Sequence, residues 1–174
     1  MALNEQIIYD KLKEVFNDSI QQCNDSLDYL TVEIAPDKLY DLIRFLRDDE
    51  SLRFNFLTTL CGAHYPHLEP HRQIGVIYHL HNWIDNFRLR VKVFLDGENP
   101  EVESLTSLFM SANWQERETY DFYGVNFKNH PDLKRILNMD EMVSFPMRKE
   151  FPLEDQERTD KDDRYFGRIP LNKN

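Results

Sequence analysis

Four carboxylates stand close together in one polar, aromatic stretch of this 174-residue chain: Glu116, Glu118, Asp121 and Asp132. On a helix, Glu118 and Asp121 fall one turn apart on the same side, the placement an acid/base pair of a hydrolase needs. No nucleophile or phosphate loop accompanies them, and the sequence has no GxGxxG, no Walker loop and no CxxC. Arg117, Lys134 and Arg135 offer the other use, ion pairing at a protein interface, and Arg117 with Asp121 has the i, i+4 spacing of a helical pair. A second cluster, His64-x-x-His67-x-x-x-His71 with Glu69, has metal-ligand spacing. Pro66 and Pro70 make it a loop, so a solvated connection between strands competes with a metal site. A third group, His79 and His81 beside Arg88, Arg90 and Lys92, makes a positive strand face that suits an acidic partner or plain solvent.

Composition narrows these choices. The net charge of −10 disfavours nucleic acid as a partner. Two cysteines, Cys23 and Cys61, are too few for a four-thiolate zinc or iron–sulfur site and suit a reducing compartment. Glu5, Asp10 and Glu14 interrupt the N-terminal stretch, so no signal peptide is expected. The longest run without Asp, Glu, Lys or Arg is Phe54–Leu68, which contains Asn, Thr, His and Pro. No segment reaches the roughly 20 apolar residues that span a bilayer, so membrane contact is expected only through partners.

The elements that would carry these groups read as α+β. Ile8, Leu12, Val15 and Phe16 make the apolar stripe of a helix over 4–16. Residues 17–26 are turn-like, and Leu30, Val32 and Ile34 alternate along a strand over 28–34. Pro36 and Asp37 open a second helix, whose stripe is Leu39, Leu42, Ile43 and Leu46 and which is expected to stop by Arg47. Strands follow around 53–61, over Ile74–Leu80 and over Phe87–Val93, the last two joined by a hairpin loop at 82–86. Val102, Leu105, Leu108 and Phe109 predict a short helix over 101–110. Ser111, or Asn113 with Glu116 in a capping box, starts the next helix, which Gly124 ends in a left-handed turn. Val125–Phe127 is extended, and Pro131 is expected in the first turn of another short helix. The expected architecture is a mixed sheet with helices packed on one face, in the order α-β-α-β-β-β-α-α, followed by a long extended C-terminal tail.

Residues 1–139 therefore read as the α+β domain and 140–174 as the tail. The 35 tail residues reach about 115 Å when extended, whereas the domain's radius of gyration is only about 14 Å. The tail keeps Met142, Val143, Phe145, Met147, Phe151, Leu153, Tyr165, Phe166 and Ile169, apolar anchors between prolines on either side of a charged run over Glu154–Arg164. Disordered linkers are poor in such residues, so the tail is expected to order on a partner's surface.

The run Glu116-Arg-Glu-Thr-Tyr-Asp-Phe-Tyr-Gly124, then Phe127-x-x-His-Pro-Asp-Leu-Lys-Arg-Ile-Leu137, closely resembles the C subunit of the bacterial proton-translocating NADH:quinone oxidoreductase, respiratory complex I, also called the 30 kDa subunit. Ser111–Trp114 and Arg148–Leu153 extend the resemblance. Asn129 departs from it where the family often has Gly, and Asn also tolerates a left-handed backbone. The resemblance implies a structural and assembly subunit of the peripheral arm, with no active site and no cofactor in this chain, the iron–sulfur clusters and FMN residing in partner subunits. It implies the D subunit as the main partner, the B and I subunits nearby, and a tail wrapped over the D subunit. It places the chain peripherally on the cytoplasmic side of the inner membrane. Trp114, Glu116, Arg117, Glu118, Tyr120, Asp121 and Gly124 would form a docking surface with His130, Pro131, Asp132 and Arg135. Arg148, Phe151 and Pro152 would continue that surface into the tail. The same type of subunit occurs in ferredoxin-, F420- and hydrogenase-linked complexes, which stay open as alternatives, as do a metal-dependent hydrolase and a free adaptor.

Overall fold

The computed structural model describes residues 4–22 and 30–151. Helix α1 spans Glu5–Phe16, with the Asn4 side chain accepting from the Ile7 N–H at 2.8 Å as its N-cap. Strand β1, Ile20–Gln22, follows after one turn of 3₁₀ helix, where only turns were expected. It pairs antiparallel with β2, Thr31–Ile34. Helix α2, Leu39–Asp48, buries its whole stripe of Leu39, Leu42, Ile43 and Leu46 at 0% exposure. Each such side chain contributes about 1.5–3 kcal/mol by leaving water.

Strands β3 (Phe56–His64), β4 (Ile74–Asn82) and β5 (Phe87–Leu95) form an antiparallel meander, β3 starting and ending later than expected. The sheet order is β1-β2-β5-β4-β3, with β2 parallel to β5, so the sheet is mixed. Asn82 shapes the hairpin loop: its Oδ1 accepts from Ile84 N and Asp85 N while its Nδ2 donates to Leu52 O. Val76, Tyr78 and Leu80 of β4 face Val93, Val91 and Leu89 of β5 across the ladder, and all six are 0% exposed. This face carries the core, to which α1 and α2 contribute. Helix α3, Ala112–Tyr123, packs on the same face, its Thr119 and Tyr123 lying over the bare backbone of Gly62 in β3. Helices thus cover one face, as the pattern predicts.

Residues 101–110 are not a helix. Glu101–Glu103 form β6, parallel to β7 at Asn126–Lys128, and turns follow. Val102, Leu105 and Phe109 are nonetheless buried, and Leu108 packs against the core. The spacing reported burial correctly, but β6 takes its hydrogen bonds from a strand on the far side of α3 in the chain. The observed order is therefore α-β-β-α-β-β-β-β-α-β. Among the described residues no helix is long and apolar enough to cross a membrane.

Candidate partner-docking surface

Helix α3 and the chain that follows it form a polar joint. The helix starts after Ser111, whose side chain makes no capping bond, and ends at Gly124 with φ 76°, the left-handed stop expected there. Glu116 does not close a capping box on Asn113. Its carboxyl is 0% exposed and reaches out of the helix, accepting from Leu105 N and Ser104 Oγ, both at 2.7 Å. Burial pushes its pKa up to about 7; the two hydrogen bonds oppose that rise and the nearby Glu103 adds to it.

Arg117 and Asp121 do not pair with each other. Arg117 donates to the carbonyls of Lys134 and Arg135, at 3.1 and 3.4 Å, and stacks 4.8 Å from the Trp114 ring centroid. Asp121, also 0% exposed, accepts from Arg135 Nη1 at 2.7 Å. It further accepts from the N–H groups of Ile136, Leu137 and Asn138, and from Asn138 Nδ2 at 2.9 Å. Burial alone would raise its pKa, but the Asn138, Leu137 and Arg135 donors hold the carboxyl well below the usual range. These bonds explain why the short helix expected from Pro131 is absent. The N–H groups that helical bonding would direct to i−4 carbonyls go to one side chain instead, and residues 131–139 form no helix or strand.

Arg135 is the second hub. Besides Asp121 it donates to the carbonyls of Met142 and Ser144, at 2.6 and 3.0 Å. Phe145 lies 5.2 Å from both the Arg135 and the Arg148 guanidinium, and its ring covers Gly124, where a Cβ would meet it at 2.6 Å. Tyr120 meets the same ring edge-on at 6.4 Å. Arg148 donates to Tyr123 O and Gly97 O, at 2.8 and 2.9 Å, and Lys149 N donates to His64 Nδ1. The segment 140–151 is thereby fastened to α3 and to the ends of β3 and β5. Sequence reasoning missed Ser104 and Asn138, because each meets its partner only across a long stretch of intervening chain, and it expected Phe145 on a partner's surface where its ring instead packs on this chain's Gly124.

The residues named from the sequence therefore divide. Glu116, Arg117 and Asp121 are buried and Arg135 nearly so, and their polar atoms are engaged within the chain. His130 is likewise interior at its side chain, and its Nε2 donates to Asn113 O at 3.2 Å. Trp114, Glu118, Pro131, Asp132 and Phe151 are exposed; Tyr120 and Arg148 are half-buried. Pro152, Leu153, Tyr165, Phe166, Ile169 and the charged run at 154–164 lie outside the described residues. Trp114 is 64% exposed, and Met110, Leu137, Met139 and Val143 of the flanking chain are exposed at 91, 64, 74 and 93%. Asn129 has φ 62°, so the position where the family often has Gly is left-handed here too.

Of the acid/base candidates, Glu118 is exposed while Asp121, one turn on, is interior and fully engaged with Arg135 and the 136–138 N–H groups, so the helical pair is split between surface and interior. Among the described residues no three His, Cys, Asp or Glu side chains converge to hold a metal, and His64 is engaged with Lys149 N.

The sequence matches the family model described as the respiratory-chain NADH dehydrogenase 30 kDa subunit over residues 32–157. The chain belongs to that family. Its relatives include the NADH-quinone oxidoreductase C subunit of Roseiflexus sp. (strain RS-1), 39% identical over 99% of both chains. The C subunit of Citrifermentans bemidjiense is 38% identical over 97% of this chain and 99% of its own. A solved trypsin-resistant fragment of Nqo5 aligns with 72% of this chain and 98% of its own, at 29% identity and TM-score 0.61. The membrane-bound sulfane sulfur reductase, an archaeal respiratory membrane complex, contains a chain of the same fold. That chain aligns at 20% identity and TM-score 0.68 over 91% of this chain and 95% of its own.

Proposed function

We propose that this chain is a cofactor-free structural and assembly subunit of the peripheral arm of an NADH:quinone oxidoreductase. In this reading it supports electron transfer from NADH to quinone, coupled to proton translocation, without an active site of its own. FMN and the iron–sulfur clusters belong to partner subunits. The D subunit is the main partner, with the B and I subunits adjacent, and the membrane is met only through them, on its cytoplasmic side. The observation that carries the reading is that Met110, Trp114, Leu137, Met139 and Val143, large apolar side chains of one stretch of chain, are all exposed where the polar groups of the joint are internally bonded. Single exposed apolar side chains are ordinary, but five within one stretch of 34 residues, beside polar groups already bonded within the chain, suit an interaction surface. In this reading the buried Glu116, Arg117, Asp121 and Arg135 shape the surface, and Trp114 with its neighbours touches the partner. The tail beyond Phe151 continues onto the D subunit.

The test is affinity purification of the tagged full-length chain from membranes, with Trp114→Glu alongside. Wild type should bring down the D subunit together with quinone reductase activity. The variant should lose both while keeping its thermal midpoint. Equal recovery of the D subunit by the two proteins would remove Trp114 from the interface, and wild-type recovery without any quinone reductase partner would overturn the reading. The electron donor of the co-purified activity separates NADH from ferredoxin, F420 and hydrogenase linkage.

A further inference from the structure

Glu116 has no role in the docking reading beyond shape, yet it is the least compensated charge site in the described interior. It is 0% exposed and has two donors, Leu105 N and Ser104 Oγ. The ionisable groups facing it come from three elements. Glu103 of β6 repels its charge. Tyr78 of β4 is fully buried, its Oη has no hydrogen-bond partner among the described residues, and its phenol pKa is pushed up by burial and by Glu116. His130, beyond β7, holds its Nε2 at 4.0 Å from Glu116 Oε2, outside hydrogen-bond reach. Asp132 N donates to His130 Nδ1 at 3.0 Å, so the proton of a neutral ring sits on Nε2, which donates to Asn113 O. On α3 itself, Arg117 is directed to the carbonyls of Lys134 and Arg135.

We propose that Glu116 is a buried proton-binding site that holds its proton in the resting fold and releases it through the Ser104–Thr106 hydroxyl pair. Ser104 Oγ lies 2.7 Å from Glu116 Oε2 and 2.8 Å from Thr106 Oγ1, and either hydroxyl can be the donor in the second contact. With Glu116 protonated, the 2.7 Å contact runs opposite to that of the ionised form, in which Ser104 Oγ donates: the carboxyl donates to Ser104 Oγ and the Ser104 hydroxyl donates to Thr106 Oγ1. On release, the carboxyl proton moves to Ser104 Oγ and the Ser104 hydrogen to Thr106 Oγ1. The Thr106 hydrogen passes to water, since Thr106 is partly exposed. One proton leaves and one charge appears, with no redox partner required. The new carboxylate then draws the two donors not yet committed to it, Tyr78 Oη–H and His130 Nε2–H. Drawing His130 releases Asn113 O at the start of α3, next to Trp114.

The linkage has a definite sign. The folded pKa stands above the unfolded value of 4.5, so the folded chain binds the extra proton. The resulting stabilisation is complete below pH 4.5 and is lost as pH rises through about 7. The test uses the full chain. Side-chain carboxyl NMR across pH 4–9 should find one Glu carboxyl, absent in Glu116→Gln, titrating near 7 together with a shift of the His130 Nε2–H resonance. Gln mimics the protonated acid, so wild type should match Glu116→Gln at pH 4.5. At pH 8 its folding equilibrium constant should be on the order of 100-fold lower than the variant's. Glu103→Gln, which removes the repelling charge, should lower the midpoint. A Glu116 midpoint below 5, or a wild-type-to-variant difference independent of pH, would overturn the proposal; neither depends on whether Trp114 meets a partner.

Discussion

Glu116 and Asp121 lie on one helix and both are 0% exposed, yet they are opposite in character. Asp121 gathers a guanidinium, three backbone N–H groups and a carboxamide, and stays charged. Glu116 gathers one N–H and one hydroxyl, faces the His130 imidazole at 4.0 Å, and its pKa rises to about 7. Burial works to raise the pKa of both carboxyls; Asp121's donors outweigh it and Glu116's two do not. The number and charge of the donors decides which carboxyl ionises. Asp121 organises the chain from Arg135 to Ser144; Glu116 ties a single turn to α3.

The contrast can be broken most severely at Asp121. Asp121→Ala leaves Arg135, 7% exposed at its side chain, without its counter-charge, and should cost about 3–5 kcal/mol in urea unfolding. Limited proteolysis should then cut between residues 135 and 145. The acid limb sharpens it next. The Asp121 carboxyl is depressed below its ordinary 3.8, so its stabilisation is present above that value and is lost as pH falls below it. Asp121→Asn should flatten the stability profile below pH 4 and leave the alkaline fall due to Glu116 untouched, which two-variant thermal melts across pH will separate. Gly124→Ala tests the support beneath the joint. The left-handed backbone at φ 76° costs a side chain about 1–2 kcal/mol. Phe145 must also leave its seat, which ring-proton NMR would register. At the bottom of the scale, Lys134→Ala breaks a 2.8 Å pair with Asp132 in which both side chains are 60% exposed. The urea midpoint should not move, because solvent already screens that pair.

Much of the fold was legible because its signals are periodic and local. Leu39, Leu42, Ile43 and Leu46 repeat at the helical period, and Val76, Tyr78 and Leu80 at the strand period, and each buries as its pattern requires. The family motif was legible as well, and the chain belongs to that family. What could not be read was the destination of each polar side chain. Arg117 and Asp121 have ideal helical spacing, but Arg135 outcompetes Arg117 because it arrives with three backbone N–H groups from the chain following it. Val102–Phe109 has helical spacing, but β7 offers β6 a ladder that only the folded chain brings near. Such long-range partners leave no periodicity behind.

The parallel pairing of β2 with β5 bears on biosynthesis. Thr31 aligns with Arg90 and Val32 with Val91, so the second strand made must wait for the fifth. At about 5–20 residues per second of translation, β2 stays without that neighbour for roughly 3–12 s after it is made. During that time the nascent chain offers Val32 and Ile34 to whatever stands nearby, and in the finished fold they are 0 and 2% exposed. A ribosome-associated chaperone would find its substrate in this interval, and the opportunity closes when β5 emerges and zips against the waiting strand.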